Sequence, residues 1–292
     1  MRLIANRFNT AITCVLLLCL APLAVAALQQ AVVVKSVANM YSLPTTDADV
    51  VSQAIYATNV TVLEERGDWM QIQTADEYKG WVQASDVRKV TTPYATQGKI
   101  AFVSGVSANI YRDPDVTKHA PLLTVPFETH VQIASESVVG GERWLQVRLP
   151  DDRTAWIQRG DISFEHRTLT IPEAIDLAKK FMGVTYTWGG TSSFGYDCSG
   201  FMQMLMRQRG VIMPRDADIQ AAWSGVAPVK REELKAGDLL YFGSENKITH
   251  TGMYIGEGMF IHDTTHGHPS VQISKLDDQP WTKLLIAARR AK

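Results

Sequence analysis

The sequence predicts a multidomain protein, two small all-β barrels in tandem followed by an α+β domain, and three observations carry that expectation. The 292 residues exceed what one hydrophobic core usually fills. A pattern of residues in the first half recurs after 70 to 75 positions. Beyond about Arg167 the apolar residues change from a two-residue alternation to helical spacing. An apolar fraction of 46% with 20% charged residues and seven tryptophans is the composition of a folded chain and excludes the disordered and fibrous classes.

Residues 1–26 are expected to be a signal peptide. They carry Arg2 and Arg7, an apolar run from Ala11 to Leu20, and Ala24-Val25-Ala26, the small-x-small pattern of a signal peptidase site. Export to the periplasm or out of the cell follows. Pro22 and the flanking charges argue against a buried helix, and Leu18 before Cys19 argues against a lipoprotein. No later segment approaches the roughly 20 apolar residues of a membrane span, so none is expected in the mature chain. Cleavage would remove Cys14 and Cys19 and leave Cys198 as a lone thiol without a disulfide partner. Such a cysteine is a candidate nucleophile, set against the inert buried thiol that a free cysteine often is. With 29 Lys and Arg against 30 Asp and Glu and no basic run, nothing points to nucleic acid.

The two copies of the repeat occupy residues 27–95 and 96–166. Ala38-Asn39-Met40-Tyr41 returns as Ala108-Asn109-Ile110-Tyr111, Trp69 and Trp81 as Trp144 and Trp156, and Gly80-Trp81-Val82-Gln83 as Ala155-Trp156-Ile157-Gln158. The growth of the offset places about five extra residues in a loop of the second copy, where insertions are tolerated. Alternating runs such as Val60-Thr61-Val62-Leu63 and Trp69-Met70-Gln71-Ile72, broken by Arg66-Gly67-Asp68, are short half-buried strands. Both copies resemble bacterial SH3-like modules, whose late strand carries Gly-Trp. The first keeps that dipeptide and the second has Ala155-Trp156. The resemblance implies modules that bind or position, and the tryptophans are expected in their cores.

Residues 167–292 form the third domain. Thr170 caps a helix with Pro172 in its first turn, Ala174, Leu177, Ala178 and Phe181 on its apolar face, and Gly183 as its stop. A second helix is expected from Cys198 to Gly210, then strands at Gly237–Gly243, Thr249–Ile255 and Met259–Asp263. That order is α+β. Cys198 at a helix start would have its thiolate stabilised by unpaired N–H groups and the helix dipole, which could also hold an oxyanion. A base must come from elsewhere. His119, His130 and His166 lie in the repeat region, whereas His250 and His262 flank Gly256-Glu257-Gly258. A three-residue loop there would pair Ile255 with Met259 and put both histidines on one face, and a two-residue loop would separate them. Nucleophile, base and orienting group is the pattern of covalent catalysis. His262, His266 and His268 also invite a metal reading, weakened by a loop setting and the lack of a second cysteine.

Tyr186-x-Trp188-Gly189-Gly190, Asp197-Cys198-Ser199-Gly200-Phe201, Thr249-His250 followed by Gly252-x-Tyr254-Ile255-Gly256, and Phe260-Ile261-His262 together resemble the NlpC family of papain-like cysteine peptidases. The likeness covers roughly 168–292, and with the modules ahead it resembles the γ-D-glutamyl-diamino acid endopeptidases acting on stem peptides with free N-terminal L-alanine. It implies Cys198 as nucleophile, His250 as general base, His262 as the residue holding the His250 ring, and Tyr186 leaning toward the oxyanion. It further implies that Asp197 meets the substrate amine, with a helix cap as its other explanation. Ser199 and Arg215, in Pro214-Arg215-Asp216, would bind the γ-D-glutamate carboxylate, and Tyr78 of the first module would reach the alanine end. No metal or cofactor is implied, and the partner is the peptidoglycan stem peptide. Two positions depart from the subgroup: Val51 stands near an acidic position and Ala217 where a Ser follows Arg-Asp. A non-catalytic wall-binding protein and a CHAP-type amidase are the competing classes. Intact Cys198, His250 and His262 speak against the first.

Overall fold

Alternating apolar residues fold each copy of the repeat into a seven-stranded antiparallel sheet. Edge to edge, the first runs Val50–Ile55, Val37–Tyr41, Lys79–Gln83, Trp69–Gln73, Asn59–Arg66, Gln29–Val33 and Val87–Val90. The second repeats that order with Leu123–Pro126, Ser107–Tyr111, Thr154–Gln158, Trp144–Arg148, His130–Val139, Ile100–Val103 and Ile162–Ser163. The structure is a computed structural model describing residues 29–292 except 140, 166, 245 and 246, without the side chains of 136–139. The expected signal peptide, 1–26, and His166 lie outside the described residues.

The duplicated aromatics build one contact twice. Tyr41 and Trp69 meet edge to face with centroids 5.5 Å apart, and Tyr111 and Trp144 do so at 5.4 Å. Trp81 and Trp144 are buried, while Trp69 and Trp156 are half-buried. Val62 pairs with Ile72 and Ile133 with Val147, so the offset grows from 71 to 75 within that one hairpin. Most of the insertion sits there, where the strand His130–Val139 shows two register shifts.

In the third domain, helix α1 spans Ile171–Lys180, and the Thr170 amide donates to Glu173 Oε2 at 2.9 Å. Its face of Ala174, Leu177, Ala178 and Phe181 is buried. Helix α2, Cys198–Gln208, is buried along its whole length from Cys198 to Met206. It packs on a six-stranded antiparallel sheet ordered Val226–Val229, Leu285–Ala291, Leu239–Ser244, Lys247–Gly256, Met259–Thr264 and Ser270–Lys275. The three strands expected from sequence are central. A short helix α3, Ala217–Ala222, and the other three strands were not foreseen, since strands bearing Arg289-Arg290 or Pro228 do not alternate cleanly.

The hairpin carrying the histidines differs from expectation in its turn. Gly256 pairs with Met259, leaving Glu257 and Gly258 as a two-residue turn with φ of 53° and 74°. A bulge at Ile255 then restores the register, pairing Tyr254 with Phe260 and Met253 with Ile261. The two-residue loop therefore does not separate His250 from His262.

Both β domains are fastened to the third. Phe127 of the second lies within the core around α1 and α2, 5.3 Å from the Phe181 ring, and its amide donates to Ser193 Oγ at 2.9 Å. Arg207 of α2 pairs with Glu128 at 2.6 and 3.1 Å. From the first domain, Gln53 Oε1 accepts from the Thr191 amide at 3.1 Å, and its carbonyl accepts from Thr191 Oγ1 at 3.1 Å. Among the described residues no helix is long and apolar enough to cross a membrane.

Candidate active site

Asp197 begins helix α2 because its Oδ1 accepts from the Gly200 amide at 2.7 Å, leaving Cys198 as the first helical residue. The Asp197 amide in turn donates to the Gly190 carbonyl at 3.0 Å. A Cβ at Gly200 would lie 2.1 Å from that carbonyl oxygen, so only glycine allows the helix to start this close to the loop. Gly189, with φ of 74°, similarly abuts the Val50 carbonyl of the first β domain.

The Asp197 carboxylate sits in a closed network. Arg215 Nη2 and Nη1 donate to its two oxygens at 2.6 and 3.1 Å, and the Gly189 amide donates to Oδ2 at 3.1 Å. Arg215 Nη1 also donates to Ser199 Oγ at 2.8 Å, and Nε to Ser52 Oγ at 3.3 Å. Arg215 is 3% exposed. Its planar fork is thus engaged by Asp197 and two hydroxyls.

Cys198 is the free cysteine of the described residues and is 7% exposed. Its expected low pKa is not found. Burial, with the Asp197 charge beside it, pushes the thiol up to about 12, against the pull of the Thr251 and Ser199 amides and of Arg215. Desolvation outweighs the helix terminus here. Helix α2, which Cys198 begins, packs against the strand Lys247–Gly256 that carries His250.

His250 Nε2 and His262 Nδ1 are 2.7 Å apart, and His262 Nε2 lies 2.9 Å from Ser274 Oγ. If His262 Nε2 donates to Ser274, its Nδ1 accepts from His250 Nε2–H, and His250 Nδ1 keeps the lone pair of a base. Both rings pack against Trp281, at centroid distances of 5.3 and 4.8 Å. Burial pushes His250 down to about 3, and burial with the neighbouring histidines pushes His262 down to about 2, so both rings are neutral at working pH.

Tyr186 is half-buried where Cys198, Asp197 and Asp263 act on it, and burial foremost raises its pKa. Tyr78 donates to Asp216 at 3.2 Å across the boundary between the first and third domains. The pair borders a cavity of about 380 Å³ rimmed by Asp76, Ile212, Ile219 and Trp223. His266 and His268 do not converge with His262 on one point: His268 Nδ1 lies 3.0 Å from Ser270 Oγ, and His266 meets Trp281 edge to face at 5.3 Å.

Sequence reasoning missed Ser52, Gln53, Ser274, Trp281 and Asp263. No motif marks them, and they meet the site only through strand pairing and domain contact. Asp263 follows His262, is fully buried, and neither of its side-chain oxygens has a well-formed hydrogen bond among the described residues.

Residues 183–290 match the NlpC/P60 family, 36–88 the bacterial SH3 domain, and 91–163 the GW (Gly-Tryp) dipeptide domain. The second copy, expected to be SH3-like, is thus matched to a different module although its strand order is that of the first. The chain is 31% identical to a γ-D-glutamyl-L-lysine dipeptidyl-peptidase of Bacillus cereus, over 82% of this chain and 74% of that one. A protein of the same name from Bacillus subtilis is 31% identical over 84% and 82% of the two chains. The crystal structure of an NlpC/P60 family protein from Bacillus cereus superposes with a TM-score of 0.77 at 25% identity, covering 90% of this chain and 99% of that one. With relatives this similar along most of both lengths, the chain belongs to the NlpC/P60 family.

Proposed function

We propose that the protein is an exported cysteine endopeptidase that hydrolyses the γ-D-glutamyl bond to a diamino acid in peptidoglycan stem peptides. The observation that carries the reading is the His250–His262 pair at 2.7 Å, on strands that pack against the helix Cys198 begins. The names of the relatives supply the bond class.

In this reading Cys198 Sγ attacks the γ-carbonyl carbon while His250 Nδ1 takes the thiol proton. The high thiol pKa and the low imidazole pKa make this a transfer during attack, with no standing ion pair beforehand. The Cys198 amide and Tyr186 face the oxyanion. His250 returns the proton to the departing amine as the carbon–nitrogen bond breaks, leaving a thioester. Water, deprotonated by His250, then cleaves the thioester and restores the thiol. His262 holds the His250 ring in the tautomer that keeps Nδ1 free.

Arg215 and Ser199 order Asp197, while Asp197, Asp216 and Tyr78 meet the alanine end. An incoming γ-D-glutamate carboxylate would take over part of the Arg215 fork. The shared strand order supports reading both β domains as SH3-like barrels that shape one wall of the cleft. The domain limits 27–95, 96–166 and 167–292, with 1–26 removed on export, belong to the same reading.

Mass spectrometry of L-Ala-γ-D-Glu-L-Lys, its diaminopimelate counterpart and whole peptidoglycan tests it. The chain without 1–26 is expected to release L-Ala-γ-D-Glu, and its Cys198→Ala form is expected to lose activity by about 10³-fold or more. Absence of product from all three substrates would overturn the peptidase reading.

A further inference from the structure

The helix-facing side of the central sheet buries Tyr241, Thr251 and Asp263; the Thr251 hydroxyl acts on Tyr241, while neither side-chain oxygen of Asp263 has a well-formed hydrogen bond among the described residues. These three lie level on three adjacent strands. Tyr241 pairs with Thr251, and the register of Met253 with Ile261, continued by two residues, sets Thr251 opposite Asp263. Tyr241, Met253 and Ile261 belong to the core under α2, so the two-residue alternation turns Thr251 and Asp263 to that side. Each directly follows one histidine of the pair, on the opposite face of the same strand. Asp263 thus lies on the sheet face that packs against α2, and the Asp197 charge at the start of that helix acts on it.

The groups facing Asp263 offer it no countercharge. From the segment before α2 come Asp197 and the buried Tyr196; from the 186 loop, Tyr186; from the neighbouring strands, Tyr241, Thr251 and the register partner Val271. Cys198 heads α2, and the nearby Arg215 is paired with Asp197. An ionised carboxylate in such a dry place, with only the Thr264 amide pulling toward the charged form and no cation of its own, is strongly disfavoured. The neutral acid fits. Burial, then Asp197, pushes Asp263 up to about 8 against the weaker pull of the Thr264 amide.

We propose that Asp263 is a positioning residue kept as a neutral acid on the sheet face that packs against α2, and that its ionisation disables the Cys198 thiol by setting a second negative charge beside Asp197. The inference rests on Cys198 as the nucleophile. A carboxylate at 263 would repel the developing thiolate through a water-poor core, where charges act over longer range than in solvent. Activity would therefore fall on the alkaline side, where a thiol alone would become more reactive.

The test measures two rates from about pH 6 to about pH 10, spanning the ionisation. One is tripeptide cleavage and the other is alkylation of Cys198 by iodoacetamide, in the chain lacking 1–26 and in its Asp263→Asn form. The alkylation rate of the variant relative to wild type is expected to rise about tenfold from the neutral to the alkaline end, and the alkaline fall in kcat/KM to move up by about one pH unit. A ratio flat across the range would overturn the proposal. A rising alkylation ratio with no tripeptide cleavage would support Asp263 acting on the thiol while defeating the assigned substrate. Should Asp263→Asn not fold, infrared spectroscopy of the wild type decides. A protonated carboxyl band at neutral pH that disappears on alkalinisation supports the proposal, and its absence at neutral pH refutes it.

Discussion

His250 and His262 couple the chemistry of single residues to the stability of the fold. Their pKa values, about 3 and about 2 in the folded chain against an ordinary 6.5, mean that on acidification the unfolded chain binds protons that the folded chain refuses. Stability is therefore lost as pH falls from 6.5 toward 3. Asp263 acts with the opposite sign. Between 3.8 and about 8 the folded chain keeps a proton that the unfolded one has lost, so its contribution declines as pH rises. Two imidazoles against one carboxyl leave a net loss on acidification below 6.5. Denaturant midpoints measured from about pH 7 to about pH 5 are expected to fall for the wild type and to fall less for His262→Asn. Equal slopes for the two proteins would show that His262 is not held neutral by burial.

At the scale of the element, helix α2 shows how position and environment compete. A start at Cys198 was legible from the Asp-Cys-Ser-Gly run, and the Asp197 cap fulfils it. The stabilised thiolate expected at that start does not form, because burial of the sulfur, and then the charge of the Asp197 that caps the helix, push the thiol pKa up. At the other end of α2, Arg207 meets Glu128, and Phe127 enters the core around α1 and α2. The turn at Phe127-Glu128 therefore behaves as part of the third domain's packing. Phe127→Ala is expected to destabilise that domain by about 3–5 kcal/mol, read as a lower denaturation midpoint of the Cys198-bearing domain. A loss under about 1 kcal/mol would mean that the ring is dispensable to the core.

For the whole molecule, domain contacts set the geometry around Cys198. The Gly189–Ser192 loop is held on one side by Asp197 and on the other by Gln53 and the Val50 backbone of the first β domain. Gln53→Ala removes the Oε1 that accepts from the Thr191 amide, together with the Nε2–H that donates to Asn39. A drop of about 1–3 kcal/mol in stability is expected, with a several-fold fall in kcat/KM that exceeds any change in secondary structure by circular dichroism. Unchanged kinetics would indicate that the loop holds its shape without the first domain.

Local and periodic features were legible in the sequence: the tandem repeat, the switch to helical spacing near Arg167, the starts of α1 and α2, the central strands, and Cys198, His250 and His262 as candidate site residues. Strand alternation, caps and turn residues are written in neighbouring positions, so they can be read without coordinates. Packing between distant segments supplied the rest. It set a two-residue turn with a bulge where a three-residue loop was expected, closed Arg215 onto Asp197, brought Ser52 and Gln53 to the site from more than a hundred residues away, and left Asp263 buried without a well-formed hydrogen bond among the described residues. Each of these depends on which side chains lose water together and which charges then find a partner, and that is settled only when distant segments pack.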